Sequence, residues 1–179
     1  MSKNSFLVIF LLVSFQISSK DVYIEIDISE QRLYLIESLD IKASYPVSSS
    51  KYGEGSIENS FKTPLGFHVV KEKIGEGAEK NTIFKSRINT RRSADIIEEY
   101  QDSDDDFVTS RIMWLDGAEE GKNRGGSVDS FSRYIYIHGT HEEGLIGTKA
   151  SHGCIRMFNA DAIELFERIK KGTKVLIRS

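Results

Sequence analysis

Apolar and polar residues alternate along residues 22–28, with the period of two that is typical of a strand with one buried face. Residues 32–36 and 41–47 carry the same strand signals, and a short polar turn lies between them. Consecutive strands joined by short turns usually pair side by side. These three segments therefore predict an antiparallel meander at the start of the fold.

Strand signals recur further along the chain. A turn at residues 63–66, with the sequence TPLG, leads into a predicted strand at residues 67–71. We expect a central strand that ends at His138 and delivers this residue to the edge of the sheet. In all, three later segments have strand character, at residues 111–115, 134–138 and 174–177.

One helix is predicted before the last strand. Ile163, Phe166 and Ile169 recur at helical spacing, and Asn159 is placed to cap the N-terminus of a helix that ends at Lys171. The predicted fold class is mostly β with α: a β-sandwich or barrel with one C-terminal helix before the final strand.

Between residues 72 and 106 the hydrophobic pattern weakens and charge accumulates. We interpret residues 72–106 as a charged insertion or a mobile flap. The segment ends in an acidic run at residues 102–106, for which we expect a solvated loop. Calcium binding is the alternative, because Asp oxygens suit that ion, although the run lacks a full calcium-loop signature.

The first residues predict export. Lys3 precedes the apolar residues 6–13, and Ser18 and Ser19 offer a cleavage site, which together are typical of a signal peptide over residues 1–19. The apolar run is too short for a spanning helix, so no stable membrane span is expected after cleavage. An uncleaved anchor and a buried first strand are the alternatives. The expected location is the periplasm or the cell-wall space.

Composition and charge narrow the class of protein. The chain has 179 residues, of which 39% are hydrophobic and 28% charged, and this excludes collagen-like, coiled-coil and wholly disordered chains. The length predicts one domain, at residues 20–179. The net charge of -3 without a dense Lys/Arg block predicts no nucleic-acid partner. Cys154 is the single cysteine, so it is either buried and inert or a thiol kept for chemistry.

Cys154 lies in a cluster with three of the four histidines of the chain. A thiol attacks as thiolate, and a nearby imidazole can take its proton and later return it to a leaving amine. The spacing allows His138 or His152 in this role. A strand-end imidazole is held more firmly, which favours His138 with the Gly139 carbonyl as its orienting partner. Gly153 permits a tight turn whose amide, with that of Cys154, faces an oxyanion.

Other interpretations of these residues are weaker. One is zinc binding by His138, His141, His152 and Cys154. The spacing of these ligands fits no zinc pattern, and we expect no metal and no cofactor. His68 is expected to be an exposed residue near its strand end, as His141 is in its loop, and Trp114 to lie in the core. We expect Tyr134 and Tyr136 to share one face of their strand.

Two segments resemble a known family. The H-G-T sequence at residues 138–140 and S-H-G-C-I-R at residues 151–156 are similar to the L,D-transpeptidase catalytic domain of bacterial cell walls. Further similarity covers nearly the whole chain after residue 19, at residues 24–27, 31–35, 45–48, 63–66 and 146–147. Residues 72–106 and 117–130 depart from the family pattern.

The resemblance implies roles for seven residues around the thiol. In order, they are the nucleophile Cys154, the acid/base His138, the orienting carbonyl of Gly139, the loop-shaping Ser151, His152 and Gly153, and Arg156, which anchors the loop or binds a substrate carboxylate.

The resemblance also implies a reaction and its partners. Cys154 attacks the bond between meso-diaminopimelate and D-alanine in a peptidoglycan tetrapeptide stem, releases D-alanine and forms a thioester. If the acceptor is the amine of a second diaminopimelate, the product is a 3→3 cross-link. If the acceptor is an amine of a wall protein, that protein becomes attached to the peptidoglycan. With water as acceptor the same site is an L,D-carboxypeptidase or endopeptidase. A wall-binding protein without catalysis is the third hypothesis.

Overall fold

The computed structural model describes residues 22–179, and its strands form one sheet. The strands are β1 (Val22–Asp27), β2 (Arg32–Glu37), β3 (Asp40–Ser48), β4 (Gly66–Ile74), β5 (Thr82–Lys85), β6 (Ile88–Ser93), β7 (Val108–Gly117), β8 (Tyr136–Thr140), β9 (Ile155–Met157) and β10 (Lys174–Arg178). The one α-helix of the described residues, α1, covers Asn159–Arg168. The mostly-β fold class with a helix before the last strand is confirmed.

The sheet curls back on itself. Its strand order is β4-β10-β1-β2-β3-β9-β8-β7-β5-β6, and β4 also pairs with β7, so that β4 joins the two ends of an eight-strand ring. The predicted meander is present, since β2 pairs antiparallel with both β1 and β3. Two pairs are parallel, β1 with β10 and β8 with β9. The architecture is therefore barrel-like, and β5 and β6 extend from β7 as a hairpin.

The core lies inside this ring and under the helix. Alternate residues of β1, Ile24 and Ile26, are completely buried, as the period-two pattern predicts. Helix α1 packs against β7 and β8 and buries Leu165 and Phe166. Complete burial of such a side chain contributes about 1.5–3 kcal/mol. The helix therefore holds β8, the strand that carries His138, from one side.

The helix differs from its prediction at both ends. Asn159 is the first helical residue and not the cap, because its side-chain amide donates to the Thr140 carbonyl at 2.6 Å. The Glu143 carboxylate accepts the Asn159 N–H at 2.7 Å and thereby takes over the capping role. The helix ends at Arg168, because the backbone of Ile169 is extended.

The charged segment 72–106 is partly regular structure. Strand β4 continues to Ile74, and the β5–β6 hairpin follows. The sequence pattern missed this hairpin because β6 is largely exposed and has no buried face to impose alternation. The acidic run is docked: Asp102 pairs with Lys51 at 2.8 Å, and Ser103 N–H donates to Glu142 at 2.6 Å. Within residues 22–179 no group of three or more His, Cys, Asp or Glu could hold a metal ion.

Two histidines expected at the surface are buried. His68 is completely buried in β4, with Nδ1 3.0 Å from the Gly66 carbonyl and Nε2 3.0 Å from Ser130 Oγ. His141 is 4% exposed and packs against the ring of Phe107. A hydrogen-bonding partner inside the fold makes burial of an imidazole tolerable, and sequence spacing does not reveal such partners.

Strand β8 begins two residues later than predicted. Tyr134 has φ 58°, a left-handed conformation that does not fit a strand, and its side chain is half exposed while Tyr136 is buried. The two tyrosines therefore do not share one strand face. Strand β8 also continues beyond the predicted end to Thr140, so His138 lies in its middle, between β7 and β9, and not at a strand end. The Trp114 ring is only partly buried, stacked on Phe131 at 3.9 Å between ring centroids.

The predicted signal peptide at residues 1–19 lies outside the described residues. From residue 22 onward, the chain contains no helix that is both long and apolar enough to cross a membrane.

The burial of His68 predicts a pH-dependent stability. Burial lowers the pKa of His68 to about 4, from 6.5 for an unperturbed histidine. The unfolded chain therefore binds the extra proton between these pH values, and stability falls as pH decreases from about 6.5 towards 4, by up to about 3 kcal/mol. We expect His68→Gln to remove this part of the decrease, as measured by urea unfolding at pH 7 and pH 4.5. An unchanged pH dependence in the variant would contradict the assignment.

Candidate active site

The parallel pairing of β8 with β9 brings the two central residues together. His138 lies opposite Arg156 in this pair, and Cys154 immediately precedes β9. The Cys154 thiol lies beside the first residue of β8, because the Tyr136 N–H donates to Sγ at 3.3 Å. Its own hydrogen points to the Tyr134 carbonyl, 3.4 Å away. Alternation places the side chains of Tyr136 and His138 on one face of β8, and Cys154 packs against the apolar cluster that contains Tyr136, so the thiol lies on the same side of the sheet as the imidazole.

The His138 imidazole is held in one orientation. Its Nδ1 is 2.7 Å from the Gly139 carbonyl, and the side chain is only 2% exposed. A carbonyl oxygen can only accept, so Nδ1 carries the hydrogen and Nε2 is left as the basic nitrogen. Burial lowers the pKa of His138 to about 4, although the nearby Asp106 opposes the shift. The ring is therefore a neutral base at physiological pH.

The Cys154 thiol is also neutral. It packs against Phe84, Ile112 and Tyr136. This burial raises the pKa of Cys154 to about 12, and the hydrogen bond from Tyr136 N–H only partly offsets the effect. Thiol and imidazole are thus both uncharged at physiological pH.

The loop before Cys154 is tied down from two sides. Ser151 Oγ donates to the Cys154 carbonyl at 2.6 Å, and Thr63 Oγ1 donates to the Gly153 carbonyl at 3.1 Å. Gly153 has φ +122°, where a side chain would be strained. Its N–H donates to Ser151 Oγ at 3.2 Å, so this amide holds the loop together and does not face an oxyanion as expected.

Asn159 supports the end of β8. Its Oδ1 accepts from the hydroxyls of Thr109 and Ser110, both at 2.6 Å, while Nδ2 donates to the Thr140 carbonyl. A Cβ at Gly139 would lie 2.5 Å from this Oδ1. Only glycine therefore fits beside His138. The sequence prediction gave Asn159 a capping role because local spacing does not show partners 49 and 50 residues away.

Arg156 is buried between two carboxylates. Its guanidinium is 1% exposed, with Nη1 2.7 Å from Glu142 Oε2 and Nη2 2.8 Å from Asp106 Oδ1. The other Asp106 oxygen is 2.8 Å from His152 Nδ1. Burial alone would raise the pKa of Asp106, but Arg156, His138 and His152 together lower it. The sequence prediction missed Asp106 and Glu142, since nothing local separates Asp106 from its acidic neighbours.

Two cavities lie in this part of the fold. A cleft of about 180 Å³ is lined on one side by Phe61, Arg133, Tyr134 and His152, together with Glu58, Asn59, Ser132 and Ile135. A larger cavity of about 490 Å³ lies by Phe84 and the end of the acidic run, Asp104, Asp105 and Asp106. Tyr134, whose carbonyl is 3.4 Å from Cys154 Sγ, lines the smaller cleft, so this cleft lies beside the region of the sulfur.

The buried ion pair predicts a large stability effect. Glu142→Ala leaves the guanidinium of Arg156 with one buried partner fewer, and breaking such a pair costs about 3–5 kcal/mol of unfolding free energy. Urea unfolding at pH 7 measures the loss. The matched control is Glu37→Ala, at an exposed position of β2, which should change stability by less than about 0.5 kcal/mol. Equal effects of the two substitutions would contradict the structural role.

The neutral pair predicts an unusual reactivity of Cys154. We expect alkylation by iodoacetamide at pH 7 to be at least about ten-fold slower than for an unfolded peptide of residues 151–157, because little thiolate is present. The rate should increase steadily up to about pH 10. A rate plateau between pH 5 and 8 would instead show a thiolate–imidazolium pair and contradict the raised pKa of Cys154.

Comparisons with known proteins agree with the geometry. The family model of the L,D-transpeptidase catalytic domain matches residues 21–177. A Bacillus subtilis protein named as an L,D-transpeptidase, YqjB, is 51% identical over 45 residues, which cover 25% of this chain and 26% of that protein. YbiS from Escherichia coli, also named as an L,D-transpeptidase, is 46% identical over 43 residues, which cover 24% of this chain and 14% of that protein. The matches thus span about a quarter or less of these relatives.

Solved structures show the same fold. An L,D-transpeptidase from Mycobacterium smegmatis has a TM-score of 0.53 at 16% identity, with 89% of this chain and 59% of that chain covered. L,D-transpeptidase 3 from Mycobacterium tuberculosis, with a faropenem-derived adduct, has a TM-score of 0.54 at 18% identity, with 88% and 60% covered. Since the family model spans most of the chain, the protein belongs to the L,D-transpeptidase catalytic-domain family.

Proposed function

We propose that this protein is a cysteine L,D-transpeptidase that acts on the tetrapeptide stems of peptidoglycan. The observation that carries the proposal is a partly exposed thiol two residues before Arg156, the residue opposite His138 in the β8–β9 pair, together with a buried His138 imidazole whose Nε2 is the free base. Family membership supplies the class of substrate. Cys154 is the nucleophile in this proposal, and His138 is the acid/base.

The first half of the reaction forms a thioester. His138 Nε2 takes the proton of Cys154 as the sulfur attacks the carbonyl between diaminopimelate and D-alanine. The Tyr136 N–H, which already donates to Sγ, stabilises the sulfur while it carries charge. The carbonyl oxygen becomes an oxyanion near the Cys154 amide. When the C–N bond breaks, the imidazolium returns its proton to the nitrogen of D-alanine, which leaves as the free amino acid.

The second half consumes the thioester. An acceptor amine attacks the acyl carbon, His138 Nε2 takes the proton of the amine, and the C–S bond breaks. The sulfur then receives that proton and the thiol is restored. The acceptor decides the product. A second stem gives a 3→3 cross-link, an amine of a wall protein gives a protein attached to the wall, and water gives a tripeptide.

We assign supporting roles to the surrounding residues. Ser151 and Gly153 shape the loop through their mutual hydrogen bond. Arg156 anchors the loop and does not bind substrate in this proposal, because its guanidinium is 1% exposed and paired with Asp106 and Glu142. Removal of such a positioning residue is expected to lower reactivity of the thiol without removing a substrate contact.

We also propose a location. The signal-peptide pattern of residues 1–19 and a peptidoglycan substrate both favour export to the periplasm or cell-wall space.

The test uses a diaminopimelate tetrapeptide muropeptide, excess amine acceptor and mass spectrometry. We expect an acyl adduct on Cys154, released D-alanine and a cross-linked product. Cys154→Ala should form no adduct, and His138→Gln should slow turnover by at least about a thousand-fold, because base and leaving-group acid are both lost. The matched control is His68→Gln, a histidine with a similarly lowered pKa that lies outside the site, which should retain turnover at pH 7.

The products separate the alternatives. Unchanged turnover in Cys154→Ala would refute the proposal, and tripeptide as the only product despite abundant amine would identify a hydrolase. Stem-peptide binding without any adduct would identify a non-catalytic wall-binding protein.

A further inference from the structure

The smaller cleft beside the thiol carries a cation that the reaction above does not use. Arg133 is partly buried, and its Nη2 donates to the Lys62 carbonyl at 2.7 Å. A longer contact of 3.4 Å joins Nη1 to the Gly55 carbonyl. The positive charge of Arg133 lowers the pKa of the Cys154 thiol, against the larger effect of burial, which raises it. The guanidinium therefore lies within electrostatic reach of the reacting sulfur.

No carboxylate of residues 22–179 forms an ion pair with Arg133. Glu58, which lines the same cleft, acts on it only at longer range. The two backbone carbonyls use only some of the five N–H donors of Arg133, and they set the plane of its guanidinium group. Such a partly desolvated guanidinium with spare donors is suited to a carboxylate, which it binds through two parallel hydrogen bonds.

The size and walls of the cleft limit what can enter. Its volume of about 180 Å³ is small beside the roughly 300–1,000 Å³ of a typical small-molecule site, which suits the head group of a side chain. Phe61 and Tyr134 line it with exposed rings, 53% and 51% accessible. These rings suit a methylene chain, while Arg133 and Glu58 offer opposite charges for its end.

We propose that Arg133 binds the free carboxylate at the side-chain end of the donor stem and thereby selects stems whose third residue ends in an unmodified amino-acid head group. Diaminopimelate carries such a head group, with one carboxylate and one ammonium, and Glu58 faces the ammonium. An ammonium paired with a carboxylate is not nucleophilic, so the cleft holds the donor and not the attacking amine. This inference rests on the proposed function, because the donor stem is taken from it.

The test measures binding rather than turnover. Two synthetic tetrapeptides, identical except for a carboxylate or a carboxamide on the diaminopimelate side chain, are titrated calorimetrically into the Cys154→Ala protein, which cannot react. We expect the carboxylate peptide to bind about ten- to a hundred-fold more tightly, as for hydrogen bonds to charged groups. Adding Arg133→Gln should reduce this preference to less than about three-fold by weakening the carboxylate peptide alone.

Two further variants separate recognition from packing. Arg133→Lys keeps the charge but loses the fork, so it should keep an intermediate preference. The matched control is Arg32→Gln on β2, a strand that neither β8 nor β9 contacts in the sheet, and it should leave the preference unchanged. Glu58→Gln should weaken a peptide with a free side-chain amine more than its N-acetyl form.

Equal weakening of both peptides by Arg133→Gln, no preference in the Arg133 protein, or no binding of either peptide would overturn the inference. Failure of the proposed function has a different signature. In that case the preference persists in the binding experiment, while the protein with Cys154 intact forms no adduct and releases no D-alanine.

Discussion

The buried guanidinium of Arg156 is the interaction on which the rest of the site depends. It lies on β9 directly opposite His138, and it joins three separate parts of the chain through Glu142 and Asp106. Removing a charge from water costs several kcal/mol, so the cation is tolerable only with both carboxylates in place. The position of β9, and with it the direction in which Cys154 leaves the loop, follows from this arrangement.

The same arrangement ties together the loops that border β7, β8 and β9. Glu142 also accepts from Ser103, and Asp106 also contacts His152, so the acidic run and the loop before Cys154 share one network. A loop that is fixed at several points loses little further entropy when a substrate binds. The ion pairs thus fix the backbone on both sides of the neutral thiol and the neutral imidazole.

The sequence predicted the parts of the fold that local patterns determine. Alternation located β1, β2 and β3, and the motif around Cys154 marked the thiol and His138 as candidates. The sequence prediction failed where a residue's partner is distant in the chain. Asn159 was assigned to a helix cap, yet its side chain accepts a hydrogen bond from Thr109, 50 residues away. The β5–β6 hairpin escaped because an exposed strand needs no buried face, and Asp106 because its role depends on a fold that brings it beside Arg156.

The apolar packing around Cys154 has a consequence for the lifetime of the protein. Peroxides oxidise thiolates and leave thiols largely untouched, so a sulfur that stays protonated resists conversion to sulfenic acid and to irreversible higher oxides. Phe84, Ile112 and Tyr136 thus act as a shield in the resting state. A chain with a single cysteine has no second thiol to rescue an oxidised sulfur by disulfide formation, which makes protection the available defence.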